Sequence, residues 1–455
     1  MSDAVTPELL ERYDGNLPRY TSYPTAVRFS DAVGSAEASR WLGELPVGEA
    51  LSLYLHVPFC DELCGFCGCN TSVMRSESAR SAYGDQLCEE LTRVAGLIAA
   101  PKNRRPSVAH IHFGGGTPTT LPESAFRTIF GRMHDLFDIQ SDAEIGVELD
   151  PRHFTPSMAR FLSELGCNRG SLGVQDLEPD VQQACGRIQT FEQTRACVES
   201  LRESGFASIN IDLIYGLPRQ TTESVCVTAR QTAALKPDRL AVFGYAHVPW
   251  KLKRQQLMPE AELPGRDARI DQRNGIDRTL RAAGYLPVGL DHYVLPHDRM
   301  AQAARNGSLR RNFQGYTADD ARHLVGVGAS AISSLPGGFT QNIVSAAAWG
   351  KALAESPGLP VARGVTCTDD DRLRGRLIER LMCDLGVDLG AFAPEDFALE
   401  RERLSRFVED GLVEMEGDRL RVTERGRPFI RNVAAVFDRY LAGQDAGPGR
   451  HSRAI

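Results

Sequence analysis

What most constrains this chain is a rhythm: short apolar stretches that each end on glycine, proline or a polar residue alternate with amphipathic stretches of helix length. The stretch "LSLYLHV" (51–57) places Leu51, Leu53, Leu55 and Val57 on one face and Ser52, Tyr54 and His56 on the other, and Pro58 ends it. The same design recurs in "VAHIHFGGGTP" (108–118), "AEIGVELDP" (143–151), "NRGSLGVQDL" (168–177), "SINIDLIYGLP" (208–218) and "RLAVFGYAHVP" (239–249). Helix-length patterns over 75–98, 122–137, 155–165, 177–204 and 222–235 lie between them. Strands that alternate with helices in this way build a parallel sheet. Six units fall short of the eight of a closed barrel, and polar inward residues such as Tyr54 and His56 point to a lumen that holds a ligand. The expected fold is therefore α/β: a partial, three-quarter TIM-like (β/α)6 barrel of parallel strands, with an additional, mainly helical C-terminal domain and an N-terminal lid segment.

Parallel α/β folds carry their sites at the carboxyl ends of the strands. Here those ends hold Cys60 and its neighbours, Gly114 to Thr117, Glu148 and Asp150, Gln175 and Asp176, Asp212, and Tyr245 to His247, which should converge on one mouth. The chain divides by pattern into residues 1–35, the lid segment; 36–365, the barrel with flanking strands; and 366–455, where a helix followed by "GLVEMEGDRLRVT" outlines a winged helix. That outline is also used to bind DNA, but residues 366–446 carry 18 acidic and 13 basic side chains, the reverse of a nucleic-acid footprint. With a formal charge of −7, no long apolar window and no secretory leader at the start of the sequence, the expectation is a cytoplasmic, monomeric protein without nucleic-acid or membrane partners. The tail "AGQDAGPGRHSRAI" is of low complexity, and a mobile tail is expected there unless it docks.

Four of the eleven cysteines, Cys60, Cys64, Cys67 and Cys69, crowd into "YLHVPFCDELCGFCGCN" (54–70). A C-x-x-x-C-x-x-C loop offers three thiolates from one wrap of backbone, and a 4Fe-4S cube takes one ligand per iron, which leaves one iron open as a Lewis acid. That iron can chelate the amino and carboxylate groups of S-adenosylmethionine, so that one electron breaks a C–S bond and yields a 5′-deoxyadenosyl radical. The competing reading is tetrahedral zinc held by Cys60, Cys64, Cys67 and either Cys69 or His56, in a zinc-stabilised α/β binding protein. Zinc sites usually draw on two separated knuckles, and a second C-x-x-C is missing. The other seven cysteines are scattered and read as small buried hydrophobes.

The loop with its extra Cys69 resembles the radical S-adenosylmethionine enzymes, and within them the oxygen-independent coproporphyrinogen III oxidases. The narrower likeness rests on "PRYTSYPTA" (18–26), "HFGGGTPT" (112–119), "GVQD" (173–176), "NIDLIYGLP" (210–218), "YAHVPW" (245–250), "RNFQGYT" (311–317), "GVGASAIS" (326–333) and the terminal "SRAI". It implies oxidative decarboxylation of two propionates of coproporphyrinogen III to vinyl groups, giving protoporphyrinogen IX in haem biosynthesis, with an electron donor that the sequence does not identify. Residue by residue, the resemblance implies Cys60, Cys64 and Cys67 as ligands of one 4Fe-4S cluster. It implies Tyr54, Gly115, Glu148 and Ile332 around the cluster-bound S-adenosylmethionine. A second S-adenosylmethionine would be held by Phe66, Gly116, Thr117, Gln175, Arg187, Asp212 and Ala246. Tyr54 and Cys69 are the candidate catalytic side chains, with Cys69 open between a thiol near the substrate, a participant in electron or hydrogen transfer, and a packing residue. Gly65 stands where the family often has a bulkier side chain. Haem-binding chaperones share the cluster loop, but generally lack the fourth cysteine and the "PRYTSYPT" segment, and this chain has both.

Two expectations concern the substrate. Arg19, Tyr20 and Tyr23 combine cationic and aromatic groups suited to a lid over an anionic, largely apolar macrocycle. Its propionates call for arginine, which grips carboxylates with a planar fork; Arg19, Arg310, Arg311 and Arg431 are the candidates.

Overall fold

The computed structural model describes residues 5–100, 104–392 and 397–441. Terminal "SRAI" and the low-complexity tail, 442–455, lie outside the described residues. The helices are α1 (Pro7–Tyr13), α2 (Ser35–Gly43), α3 (Glu77–Leu97), α4 (Glu123–Leu136), α5 (Pro156–Glu164), α6 (Pro179–Cys185), α7 (Phe191–Glu203), α8 (Thr222–Ala234), α9 (Arg266–Ala282), α10 (Arg299–Asn306), α11 (Ala346–Glu355), α12 (Asp369–Asp384), α13 (Ala398–Glu409) and α14 (Ile430–Ala435).

The six anticipated strands form: β1 (Leu51–Val57), β2 (Ser107–Gly115), β3 (Asp138–Leu149), β4 (Arg169–Gln175), β5 (Ser208–Tyr215) and β6 (Arg239–Gly244). They pair in sequence order and all in parallel. The later strands are β7 (Leu286–Val288), β8 (His292–Val294), β9 (Leu324–Val327), β10 (Ile332–Leu335), β11 (Gly338–Asn342) and β12 (Val361–Thr366). They extend the sheet to twelve strands in the order β12-β11-β10-β9-β1-β2-β3-β4-β5-β6-β8-β7, whose ends do not meet. Strand β9 also runs parallel to β1, so the parallel run is one strand longer than the pattern predicts. Its four-residue length, set among glycines, gives too little alternation to read a direction.

The two faces of β1 show how the sequence builds the barrel. Leu51, Leu53, Leu55 and Val57 are buried in one core with Leu87 and Leu91 of α3 and with Phe113 and Phe126, each such side chain contributing about 1.5–3 kcal/mol by leaving water. The opposite face looks into the lumen, where Tyr54 lies beside His112, His112 beside Gly146, and Gly146 beside Arg169 in register. Buried charge in the lumen is paired: Arg239 bonds Glu144 at 3.2 Å and Asp298 at 2.9 Å, and Arg169 reaches Glu144 at 3.2 Å. Lone charges there would cost several kcal/mol each.

The single helix expected over 177–204 is two. Helix α6 ends at Gly186, which takes a left-handed φ of 65°, and α7 restarts at a capping box of Thr190 and Gln193. Glycine closes helices in this way because it carries no Cβ. The break sends Arg187 inward.

A second core gathers α12, α13, α14 and a three-stranded sheet of β13 (Gly386–Asp388), β15 (Arg419–Val422) and β14 (Val413–Glu416), in that spatial order. The N-terminal segment belongs to this core. Leu9, Leu10 and Tyr13 of α1 are buried in it, with Tyr13 4.8 Å from the Phe407 ring and bonded to Asp410 at 2.6 Å. Tyr20 and Tyr23, expected to cover a macrocycle, are instead buried here: Tyr20 donates to Asp438 at 3.1 Å, and the Tyr23 hydroxyl accepts from Arg439 N. Their aromatic character serves packing.

Candidate active site

At the carboxyl ends of the parallel strands lies a cavity of about 750 Å³. Of the fifteen residues singled out from the sequence, thirteen line it: Cys60, Cys64, Cys67, Cys69, Phe66, Gly115, Gly116, Thr117, Glu148, Gln175, Arg187, Asp212 and Ala246. Tyr54 and Ile332 do not. The Tyr54 hydroxyl is 3.0 Å from His56 Nδ1 and its ring stacks on His112, one layer behind the wall. Ile332 is on β10, where its backbone packs over Gly326, the register neighbour of Tyr54.

The wall is built by bare backbone where groups must approach. Gly115 has φ of 111°, and a Cβ there would fall 2.4 Å from the His56 ring; only glycine serves. A Cβ on Gly116 would meet the Phe59 carbonyl oxygen at 2.5 Å. Glu148 is aimed by two donors, Gly115 N at 3.0 Å and His112 Nε2 at 3.3 Å. Burial opposes its charge, but His112 and the Gly115 amide outweigh burial and hold the carboxyl below its ordinary range.

Cys64 is buried, Cys60 and Cys67 are half-buried, and Cys69 is exposed. Cys64 Sγ receives Arg187 Nη1 at 3.4 Å and Arg152 Nη2 at 3.9 Å, while Thr117 Oγ1 lies 3.8 Å from Cys60 Sγ. Asp150 bonds both arginines, Arg152 at 2.7 Å and Arg187 at 3.2 Å, and they depress its carboxyl against the effect of burial. A hydrogen bond from Cys69 pulls the Cys67 thiol down, with Arg254 assisting, while burial pushes Cys60 up to about 11. Gln255 clamps the far side, donating to the Phe66 and Ala246 carbonyls at 3.1 Å each. Asp212 accepts from Asn210 at 2.7 Å, and burial lifts its carboxyl to about 7.

This donor set fits a polynuclear cluster better than a single ion. No three His, Cys, Asp or Glu side chains among the described residues gather closely enough to ligate one metal ion, and His56 is engaged by the Tyr54 hydroxyl and the Asn70 carbonyl. Thiolates spread along one loop suit one ligand per iron, and two guanidinium groups beside Cys64 suit an electron-rich group.

Sequence reasoning missed Arg152, Arg254 and Gln255. Arg152 had a signal, two residues beyond a polar strand end; the other two belong to the irregular segment 245–265, where no periodicity applies. Of the four arginines expected to grip propionates, only Arg19 reaches this cavity. Arg310 pairs with Glu379 at 3.1 Å, Arg311 lies 4.4 Å over the Tyr316 ring, and Arg431 is buried and donates to the Pro18 carbonyl. At Gly65 a Cβ would strike Met258 Sδ at 2.6 Å, so the thioether occupies the space a larger side chain would need.

Comparison with known proteins places the whole chain in one family. Residues 54–231 match the Radical SAM superfamily and residues 367–429 the HemN C-terminal domain. An oxygen-independent coproporphyrinogen III oxidase of Bradyrhizobium diazoefficiens is 47% identical over 445 residues, 96% of this chain and 97% of that protein. One of Pseudomonas aeruginosa is 38% identical, covering 95% of each. Coproporphyrinogen III oxidase (HemN) from Escherichia coli, described as a radical SAM enzyme, superposes with a TM-score of 0.90 at 36% identity, over 97% of this chain and 100% of that one.

Proposed function

This chain belongs to the oxygen-independent coproporphyrinogen III oxidases of the radical SAM superfamily, and we propose that it converts two propionates of coproporphyrinogen III to vinyl groups without oxygen, giving protoporphyrinogen IX, through the residues of the cavity described above. The observation that carries the reading is the convergence of the four loop cysteines and nine further residues, most of them at strand ends, on one cavity.

Cys60, Cys64 and Cys67 hold the 4Fe-4S cluster. When bound, the cluster and S-adenosylmethionine supply the one-electron C–S cleavage that makes a carbon radical able to take an unactivated hydrogen. The residues orient the partners of that chemistry. Arg187 and Arg152, fixed by Asp150, set positive charge against the thiolates. Glu148, already aimed by His112 and the Gly115 amide, accepts from ribose hydroxyls, and Gly115 lets backbone approach the methionine group. Tyr54 positions His56 and His112 from behind, and Ile332 backs the same wall. Phe66, Gly116, Thr117, Gln175, Arg187, Asp212 and Ala246 hold a second S-adenosylmethionine. Cys69, exposed and bonded to Cys67, faces the substrate side and takes part in turnover without being a ligand. From each propionate the reaction removes one β hydrogen, carbon dioxide and one electron; a β C–H without acidity gives no base a role.

Among the described residues no helix is long and apolar enough to cross a membrane, and the reading is of a monomeric cytoplasmic enzyme served by a separate electron donor. Anaerobic incubation of the cluster-loaded protein with coproporphyrinogen III, S-adenosylmethionine and a reductant tests it. Protoporphyrinogen IX and 5′-deoxyadenosine are the expected products; 5′-deoxyadenosine without any vinyl product refutes it.

A further inference from the structure

Beside the reaction cavity, and sharing Arg19, Gly244, Tyr245 and Ala246 with it, is a second cavity of about 510 Å³. One wall is the first two turns of α9. Arg266, Arg269 and Arg273 all line it, at spacings of three and four that put them on one face of the helix. The N-cap Gly265 is on the same wall, so the amino end of the helix adds partial positive charge to that of the three side chains.

Arg266 is paired with Asp14 and Asp267, but the other two arginines are not an ordinary solvated set. Arg269 lies flat against backbone and donates to the Tyr245 carbonyl at 2.9 Å; a Cβ at Gly216 would come 3.2 Å from its Cζ, and one at Gly244 3.4 Å from its Nη2. Gly216 therefore makes room for this guanidinium. Arg273 makes no hydrogen bond or ion pair with any described residue although it faces the cavity. Arg19 donates to the Gly244 carbonyl at 3.1 Å and stands where the two cavities meet. Two carboxylates share the lining, Asp291 and Glu260, and Asp291 is bonded to His292 at 2.7 Å. The remaining wall is largely apolar or aromatic, including Tyr215, Val242, Trp250 and Leu263. In a chain of net charge −7, this is a local surplus of cations around an apolar space that opens onto the reaction cavity.

A ligand suited to it has a broad apolar body and several carboxylates, one end of which reaches the reaction cavity while the other stays behind. We propose that the arginine face of α9 is the carboxylate subsite that grips those propionates of the tetrapyrrole that are not at the reacting position, with Arg273 and Arg269 as the principal contacts and Arg19 at the junction. The inference rests on the functional reading above and adds the site at which substrate charge is met. It also explains how two propionates react in one site: the macrocycle turns, and whichever carboxylates are idle return to the same arginines.

The test uses the cluster-loaded full chain under anaerobic conditions, with coproporphyrin III, the stable oxidised tetracarboxylate, titrated by its fluorescence, and its tetramethyl ester as the uncharged comparison. Arg273→Met should weaken coproporphyrin III binding about tenfold, the worth of one charge-assisted hydrogen-bonded pair, and R269M/R273M about a hundredfold, with iron content equal to the parent's. Arg273→Lys should restore part of the loss, and the ester should bind parent and variants alike. Because Arg269 also props Tyr245, the single Arg273 variant decides. Turnover of coproporphyrinogen III by the parent is measured alongside. A parent that turns it over, with an Arg273→Met variant that binds coproporphyrin III equally well, overturns the subsite alone, whereas a parent without turnover overturns the functional reading and the subsite with it.

Discussion

Asp212 stands on the wall of the reaction cavity with a carboxyl that the fold makes expensive to ionise. Burial is the main cause, Glu148 adds repulsion, and the hydrogen bond from Asn210 recovers only part. Its value in the folded chain is about 7, against 3.8 for an unperturbed carboxyl. Because the folded value is raised, the native state binds the extra proton between those limits. The favourable contribution of the neutral group is complete below 3.8 and is lost as pH rises through about 7. The displacement corresponds to about 4 kcal/mol of penalty once the group is ionised, reduced to about 2–4 kcal/mol by water in the cavity. Asp212→Asn keeps the shape and the acceptor for Asn210 but removes the charge. The variant should therefore be more stable than the parent, with a margin larger by about 2 kcal/mol at about pH 8 than at about pH 5. Thermal unfolding of the two proteins by circular dichroism at both values reads the difference, and other titrations cancel between them. The same substitution should weaken binding of the second S-adenosylmethionine proposed for this wall. A variant with the same or lower melting temperature than the parent at about pH 8 would show that Asp212 is not strained by burial, and the reasoning would fail.

Replacing any one of Cys60, Cys64 or Cys67 with serine should abolish iron and sulfide retention, whereas Cys69→Ser should keep both near the parent's level while turnover falls; a cluster lost with Cys69 and kept without one of the others would reverse the ligand assignment. Gly115→Ala forces a side chain at φ 111° into the His56 ring and should cost about 1–3 kcal/mol, lowering both melting temperature and S-adenosylmethionine affinity. Tyr13→Ala removes a buried ring and its bond to Asp410, and should cost about 3 kcal/mol, seen as earlier unfolding of the C-terminal unit by hydrogen exchange.

Much of the barrel is legible because its strands obey a simple demand. Alternation in β1 must put leucines outward onto helices and tyrosine and histidine inward, and the residue that ends each strand must then face the mouth. The cysteine loop is legible for another reason, since thiolate spacing is a local property of the chain. What escapes is whatever depends on distant packing. No periodicity tells that Tyr20 and Tyr23 fill the core of residues far along the chain, nor that Arg310 already has Glu379. Arginines 266, 269 and 273 share one face of α9, a helix that the pattern reading did not include, and the cavity they line also needs Arg19, Tyr245 and Pro428, three points of the chain that only the tertiary structure unites. The division of 177–204 into two helices turned on Gly186, a breaker hidden in a run of otherwise helical pattern.

The burial of α1 and Tyr20 among residues of α12 to α14 also sets a calendar. During synthesis α1 and Tyr20 lack their C-terminal partners until the last of the chain has left the ribosome, because these contacts run to Phe407, Asp410 and Asp438. The barrel and its cysteine loop emerge long before that and can fold as a unit. Arg19, carried by the waiting segment to the boundary of both cavities, is thus among the last groups to arrive.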